Sequence, residues 1–228
     1  MTQQPPNLPI NLQLQSRKWH SPARLLSPGE EMMRKPRIAL FALNGIGSMV
    51  LKDLCDAGYN IVGLWTRREP NPHPYYRVED VDVLARTRMI PVFFEHEPFE
   101  EDDHFDLLLS CTYHKKILEE HRRHADVSIN IHQSLLPRHR GKNPFKAVIE
   151  AKDKESGVTA HHIDDEWDHG KTIEQWPVNI EHLNEGEVRA RLGFNTVYMA
   201  AFIIQNLHKI KATTYNHIIQ SERIEKWV

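Results

Sequence analysis

Asn130 and His132 stand two residues apart at the end of an apolar run, in the stretch NIHQSLLPRHRGKNP. A run of that length suits a buried strand over 126–131, and residues two apart on a strand project from the same face. An amide and an imidazole then converge on one point. There both can donate hydrogen bonds to a carbonyl oxygen that becomes an oxyanion when an amine attacks it, the place where preorganised donors contribute most. The pair alone leaves a second possibility open, a capping Asn beside a surface His. Further on, Asp164, Asp165, Glu166 and Asp168 crowd one short segment before Gly170.

Two other segments carry chemistry-bearing residue types. Asn44-Gly45-Ile46-Gly47-Ser48 follows an apolar run and precedes a helical pattern, so its backbone amides can approach a phosphate at a helix N-terminus. It lacks the third glycine and the acidic partner of a dinucleotide fingerprint, and a tight strand-to-helix turn is the simpler reading of it. Fifteen histidines invite a metal reading, and His161-His162 beside Asp164 and Asp165 is the best cluster. Adjacent strand residues point to opposite faces, so those two rings do not readily share an ion, and no metal is expected.

These residues need a frame. Residues 1–35, with Pro5, Pro6, Pro9, Pro22 and Pro28, read as an extended arm, in which Trp19, His20 and Arg24 are given no role. A catalytic domain over 36–212 follows, then a short extension over 213–228. Strands are expected at 37–43, 60–66, 91–95, 106–110 and 126–131, and helices at 49–57 (stopped by Gly58), 79–88 and 115–123. Pro70, Pro72 and Pro74 make a loop up to about residue 78. Strand and helix in alternation predict an α/β fold, an open and mostly parallel Rossmann-like sheet flanked by helices. Ligands bind beyond the carboxyl ends of such strands, so the residues after Leu43, Ser110 and Ile131 gain weight. A helix at 144–152, a hairpin of strands 157–163 and 172–180, and a long helix at 185–207 complete the pattern. Val188, Leu192, Val197, Tyr198 and Ala201 are expected on the buried side of that last helix.

Composition sets further bounds. At 228 residues, 40% hydrophobic and 26% charged, the chain suits one packed core. A formal charge of −2 with scattered Lys and Arg disfavours nucleic acid as a partner. Cys55 and Cys111 lie in apolar segments without a C-x-x-C pair, which fits a reducing, cytoplasmic setting. No apolar run approaches the roughly 18 residues that span a bilayer, so no membrane association is expected.

NIHQSLLPRHRGKNP followed by GVTAHHIDDEWDHGKTI resembles the signature of the 10-formyltetrahydrofolate-dependent formyltransferases. The strong part of the resemblance covers residues 126–180. It implies a donor, 10-formyltetrahydrofolate, and a catalytic set of Asn130, His132 and Asp168. It places the Ser-Leu-Leu-Pro turn at Ser134 to Pro137, the following Arg-Gly at Arg140-Gly141, and a strand histidine at His161. His169 stands where the family often has Gly or Thr. A carboxylate near an imidazole orients the ring and favours its charged form, so Asp168 is expected to raise the pKa of His132. Asp168 can also hold a water that relays the proton.

The same resemblance puts the pterin between the loops 113–118 and 163–168, with Lys116, Ile117, Leu118, Asp164 and Asp165 as cofactor-binding residues. Ile117 and Leu118 could instead form the core face of the next helix. The acceptor is expected to be a small-molecule amine, a nucleotide-linked amino sugar, met by Asn44, Gly45, Gly47, Ser48, Arg67, Ser134 and Arg140. Three alternatives stay open: a glycinamide ribonucleotide formyltransferase, a formyltetrahydrofolate hydrolase, and a noncatalytic folate-binding module. A homodimer is also left open.

Overall fold

The structure, a computed structural model, describes residues 34–68, 76–95 and 97–214. Most of the expected arm, the proline-rich segment 69–75 and residues 215–228 of the expected extension lie outside the described residues. Seven strands run in chain order: β1 Arg37–Ala42, β2 Asn60–Thr66, β3 Val92–Phe94, β4 Leu107–Cys111, β5 Ser128–His132, β6 Glu155–His162 and β7 Thr172–Asn179. They form one sheet in the order β3-β2-β1-β4-β5-β6-β7. β3 through β5 pair in parallel, and β6 and β7 are antiparallel additions at one side. The order reverses between β1 and β4, which opens a crevice beyond their carboxyl ends.

The helices are α1 Ile46–Asp56, α2 Val81–Thr87, α3 Glu119–Arg122, α4 Pro144–Glu150 and α5 Glu185–Gln205, with a further helical stretch over 207–214. Strands buried on both faces have no need to alternate with polar residues, and β4 is buried at every position. Its residues nonetheless divide by parity. Leu107, Leu109 and Cys111 join the cluster with Ile38, Leu40, Ile129 and Ile131, while Leu108 joins Ala39, Phe41, Trp65, Phe105 and Tyr113. Each Leu, Ile or Phe among them, removed from water, contributes roughly 1.5–3 kcal/mol. Because Ile129 and Ile131 face the first cluster, Asn130 and His132 face the other side of the sheet.

At the amino ends of the strands, Asp106 accepts both terminal nitrogens of Arg34 at 2.6 and 2.7 Å and the Arg37 backbone N–H at 2.8 Å. Lys211 joins this group and also pairs with Asp126, tying the helical stretch over 207–214 to the amino ends of β1 and β4. α5 starts with a reciprocal cap, in which the Asn184 side chain accepts the Glu187 N–H and Glu187 accepts the Asn184 N–H.

Two expectations need correction. The helix anticipated over 115–123 is confined to Glu119–Arg122; Leu118 is extended at φ −74° and ψ 161°, so residues before it form a loop over the crevice. Ile117 is buried in the aromatic cluster from that loop and not from a helix face. On α5, Tyr198 is 62% exposed, because the buried stripe runs through Thr196, Val197, Met199, Ala200 and Ile203. One residue of helix turns Tyr198 away from Val197 towards water.

Candidate active site

β5 ends at the crevice, and register brings four polar side chains to one place. Asn130 lies opposite His161 of β6, and His132 lies opposite Thr159. Directly opposed residues in an antiparallel pair share a face, so all four look the same way. The turn after β6 then returns Asp168 to them at φ +56°, with only 7% exposure. Gly170 lets that turn close, since a Cβ there would lie 1.8 Å from the His162 carbonyl oxygen.

The resulting cluster is dense. Asn130 Nδ2 donates to Asp168 Oδ1 at 3.3 Å and to His161 Nε2 at 3.1 Å. His161 Nδ1–H donates to the His162 carbonyl at 2.8 Å, and in that tautomer Nε2 is the acceptor. His132 Nε2–H donates to the His139 carbonyl at 2.8 Å, and its Nδ1 faces Asp168 Oδ2 at 3.5 Å. The carboxylate is also held by the Gly141 N–H at 2.7 Å, while Arg140 Nε donates to the Asp168 backbone carbonyl at 3.1 Å.

The segment between β5 and Gly141 is fixed from below. Ser134 Oγ donates to the Arg138 carbonyl at 2.7 Å, and Thr159 Oγ1 donates to the Ser134 carbonyl at 2.7 Å. Thr159 also accepts the Leu136 N–H, and Gln175 of β7 donates to the Leu136 carbonyl. His139, at φ +56°, sends its Nε2 to Asp153 Oδ2 at 2.7 Å, which anchors the residue whose carbonyl receives His132.

Burial is the main influence on His132 and lowers its pKa from the ordinary value; the Asp168 charge and the His139 carbonyl only partly offset it. The expectation that Asp168 would leave the ring with a raised pKa is therefore corrected: desolvation outweighs the carboxylate. Burial also pushes the Asp168 carboxyl up. The neighbouring His161 and His132 rings and the Gly141 N–H together overcome it, and the net direction is down. At neutral pH the pair is thus a neutral imidazole facing an ionised carboxylate. A proton arriving between them is held by both.

A cleft of about 340 Å³ opens above this cluster, and Asn130, His132 and Asp168 line it. Such a volume suits a small organic molecule. Leu43, Ile117, Ile163 and Phe145 give it apolar walls, and Arg67, Lys116 and Lys142 add positive charge. Lys116, Ile117 and Asp164 reach the cleft, whereas Leu118 is 38% exposed and Asp165 turns its carboxylate to solvent. Ser134 is fully buried beneath the turn, and Arg140 braces Asp168. Asn44 Oδ1 accepts the Val81 N–H at 2.7 Å, joining the first turn to α2. Gly45 adopts φ +82°, a Cβ on Gly47 would stand 2.8 Å from Ala42 Cβ, and Ser48 is buried at the start of α1. Among the described residues no group of three or more His, Cys, Asp or Glu is placed to hold a metal ion.

Sequence reasoning gave no role to Thr159, Gln175, Asp153 or Arg122. The period-two placement of Thr159 and His161 opposite His132 and Asn130 was the available signal for the first; the others act across turns whose closure no local pattern encodes.

Residues 104–196 match the family described as formyl transferase. The chain is 27% identical over 153 residues to the bifunctional polymyxin resistance protein ArnA of Wigglesworthia glossinidia brevipalpis, covering 64% of this chain and 23% of that protein. It therefore spans less than a quarter of that relative's length. Among solved structures, the phosphoribosylglycinamide formyltransferase of Streptococcus pneumoniae TIGR4 superposes with a TM-score of 0.61 at 20% identity, over 76% of this chain and 99% of that one. WlaRD, a sugar 3N-formyl transferase solved with dTDP and 5-N-formyl-THF, gives a TM-score of 0.65 at 20% identity, over 78% of this chain and 65% of that one. The fold is the one these solved structures share, and the stretch that matches the formyl transferase family, residues 104–196, holds Asn130, His132 and Asp168.

Proposed function

We propose that the chain transfers the formyl group of 10-formyltetrahydrofolate to a primary amine. The observation that carries this reading is the convergence of Asn130, His132 and Asp168 at the floor of one cleft, with Asp168 within 3.3 Å of the amide and 3.5 Å of the imidazole. The cleft fits the donor in kind. Ile117 and Ile163, on the two loops that flank it, offer apolar cover to a flat ring.

Both hydrogens of the Asn130 amide nitrogen are engaged within the cluster. The bond to Asp168, at 3.3 Å, is the longer and yields first, which lets Asn130 donate to the formyl oxygen as negative charge develops there. His132, neutral with Nε2–H committed to His139, offers the Nδ1 lone pair to the proton that the attacking nitrogen must lose. Asp168 stabilises the imidazolium so formed. As the carbon–nitrogen bond to the donor breaks, Nδ1–H returns that proton to the departing nitrogen, and His132 ends neutral. The new amide bond replaces the old one, and no proton is gained or lost overall.

For the acceptor we propose a nucleotide-linked amino sugar. Support comes from the likeness to ArnA and to the sugar 3N-formyl transferase WlaRD, and from Arg67 at the cleft wall. The test is an acceptor screen that follows tetrahydrofolate release, with amino-sugar nucleotides, glycinamide ribonucleotide and water alone. Release without any amine would convert the reading to a hydrolase, and release with none of them would defeat it.

A further inference from the structure

Arg122, the last residue of α3, is not at the chemical centre, yet it joins two loops that are. Its Nη1 donates to the Ile117 carbonyl at 3.1 Å and to the Asp164 carbonyl at 3.0 Å. Its Nη2 donates to Asp165 Oδ1 at 2.7 Å. The Arg122 side chain is only 14% exposed, so its two carbonyl contacts are made largely out of water, where a charged donor to a carbonyl is strong, while Asp165 meets it at the surface. Ile117 belongs to the loop after β4 and Asp164 to the loop after β6. Ile117 and Asp164 both belong to the lining of the cleft, whereas Arg122 does not and meets them through their carbonyls.

Three further features show that the tie is built for rigidity. Glu166 N–H donates to Asp164 Oδ1 at 3.0 Å, which folds the second loop on itself around the residue Arg122 grips. Ile163 N–H is fixed to the Ser128 carbonyl at 3.0 Å, so the second loop is pinned to β5 on its other side. The Asp165 carboxyl is held below its usual range chiefly by its hydrogen bond with Arg122, and the pair is ionised at neutral pH. A planar guanidinium reaches three acceptors at once. An ammonium on a flexible stem, with its charge at one point, does not bridge them in the same way.

We propose that Arg122 is a positioning residue for the formyl donor: by holding the Ile117 and Asp164 carbonyls together it sets the width of the slot between the two loops. This rests on the reading that the slot receives the folate. It assigns to one side chain the preorganisation that otherwise has to come from ligand binding, and a slot that must first be ordered binds more weakly.

Arg122→Lys and Arg122→Met in the full chain test this with two measurements. The first is amide hydrogen exchange without ligand, expected to speed up in residues 113–118 and 163–166 of both variants and to stay unchanged in β4, β5 and Asp168. The second is the affinity for 5-formyltetrahydrofolate, which carries the formyl group on a different nitrogen of the folate. Losing charge-assisted hydrogen bonds predicts a Kd raised about tenfold or more. Turnover at saturating donor and the KM for the amine should stay within about twofold. Unchanged loop exchange, an unchanged Kd, or exchange accelerated evenly across the whole sheet would each overturn the proposal, the last because it marks a merely structural role. If the unaltered protein fails to bind 5-formyltetrahydrofolate, the functional reading falls; loop exchange that stays slow in the Lys variant overturns the positioning role of Arg122 alone.

Discussion

His132 Nδ1 stands 3.5 Å from Asp168 Oδ2, with both side chains nearly withdrawn from solvent. That separation is slightly long for a hydrogen bond and short for a strong Coulombic interaction in a low-dielectric site. It is the geometry of two acceptors waiting for one proton. Nε2 cannot turn to help, because it already donates to His139.

The first prediction concerns the donors. Asn130→Ala removes the amide that faces the developing charge, and His132→Ala removes the proton acceptor. Each should lower turnover roughly 100-fold or more while the far-ultraviolet circular dichroism is preserved. Asn130 is only partly buried and takes no part in the apolar clusters, so the fold survives. Near-normal formyl transfer in either variant would remove that residue from the chemistry.

The second concerns pH. Burial lowers the pKa of His132 below the ordinary 6.5, so the ring is neutral at pH 7 and the acid limb of kcat/KM should fall below pH 6.5. The sign for stability follows from proton counting. Between the folded and the ordinary pKa the unfolded chain binds more protons than the native one, so stability rises with pH there. His132 thus contributes stability that is complete above pH 6.5 and is lost as pH falls through its folded value. Nuclear magnetic resonance of ring-labelled histidine reads both the titration and the Nε2–H tautomer. A His132 titrating above 6.5 would contradict the neutral resting state.

A third prediction tests the opposite end of the sheet. Asp106 takes both Arg34 nitrogens and the Arg37 N–H, and its pKa is lowered although burial alone would raise it. Asp106→Ala leaves those donors without their acceptor and should cost about 2–3 kcal/mol. Thermal unfolding should shift down by roughly 5–10 °C. In the unaltered chain this contribution is present above pH 3.8 and lost as pH falls through the folded value. Turnover per folded molecule should not change, since the pair lies at the amino ends of β1 and β4.

Much of this arrangement was legible in the sequence because it is periodic. The apolar runs of β1, β4 and β5 and the two-residue spacing of Asn130 and His132 dictate which face each side chain takes. Asp168 was reachable only through resemblance, since nothing in the acidic segment distinguishes it from Asp164, Asp165 or Glu166. What selects it is the turn at φ +56°, closed by Gly170, that swings one carboxylate inward. The helix expected over 115–123 failed for a related reason. Lys115 to Leu118 have helical propensities, but their backbone is held open by tertiary contacts, Ile117 packing into the aromatic cluster and its carbonyl taken by Arg122. Tyr198 misled because a long helix packed on several partners buries a broad stripe, and one residue decides on which side of its edge an aromatic falls.

The last prediction concerns the acceptor. The amine must sit about 3 Å from the formyl carbon to attack, which puts it beside Asp168 and His132. The rest of the molecule then follows the cleft, whose wall carries Arg67 at the end of β2, a side chain able to meet a phosphate or diphosphate. The first turn of α1, with Gly45 at φ +82° and no room for a side chain on Gly47, sets backbone amides at the same carboxyl end of the sheet. If a nucleotide-linked amino sugar is the substrate, a nucleoside diphosphate lacking the sugar should compete with it. Arg67→Ala should raise the acceptor KM about tenfold and lower kcat far less, the pattern of lost ground-state binding. The donor KM should stay where it is, which separates Arg67 from Arg122. Saturable formylation of glycinamide ribonucleotide, with no amino-sugar nucleotide turned over and no competition by a nucleoside diphosphate, would reassign the acceptor and leave Asn130, His132 and Asp168 in their roles.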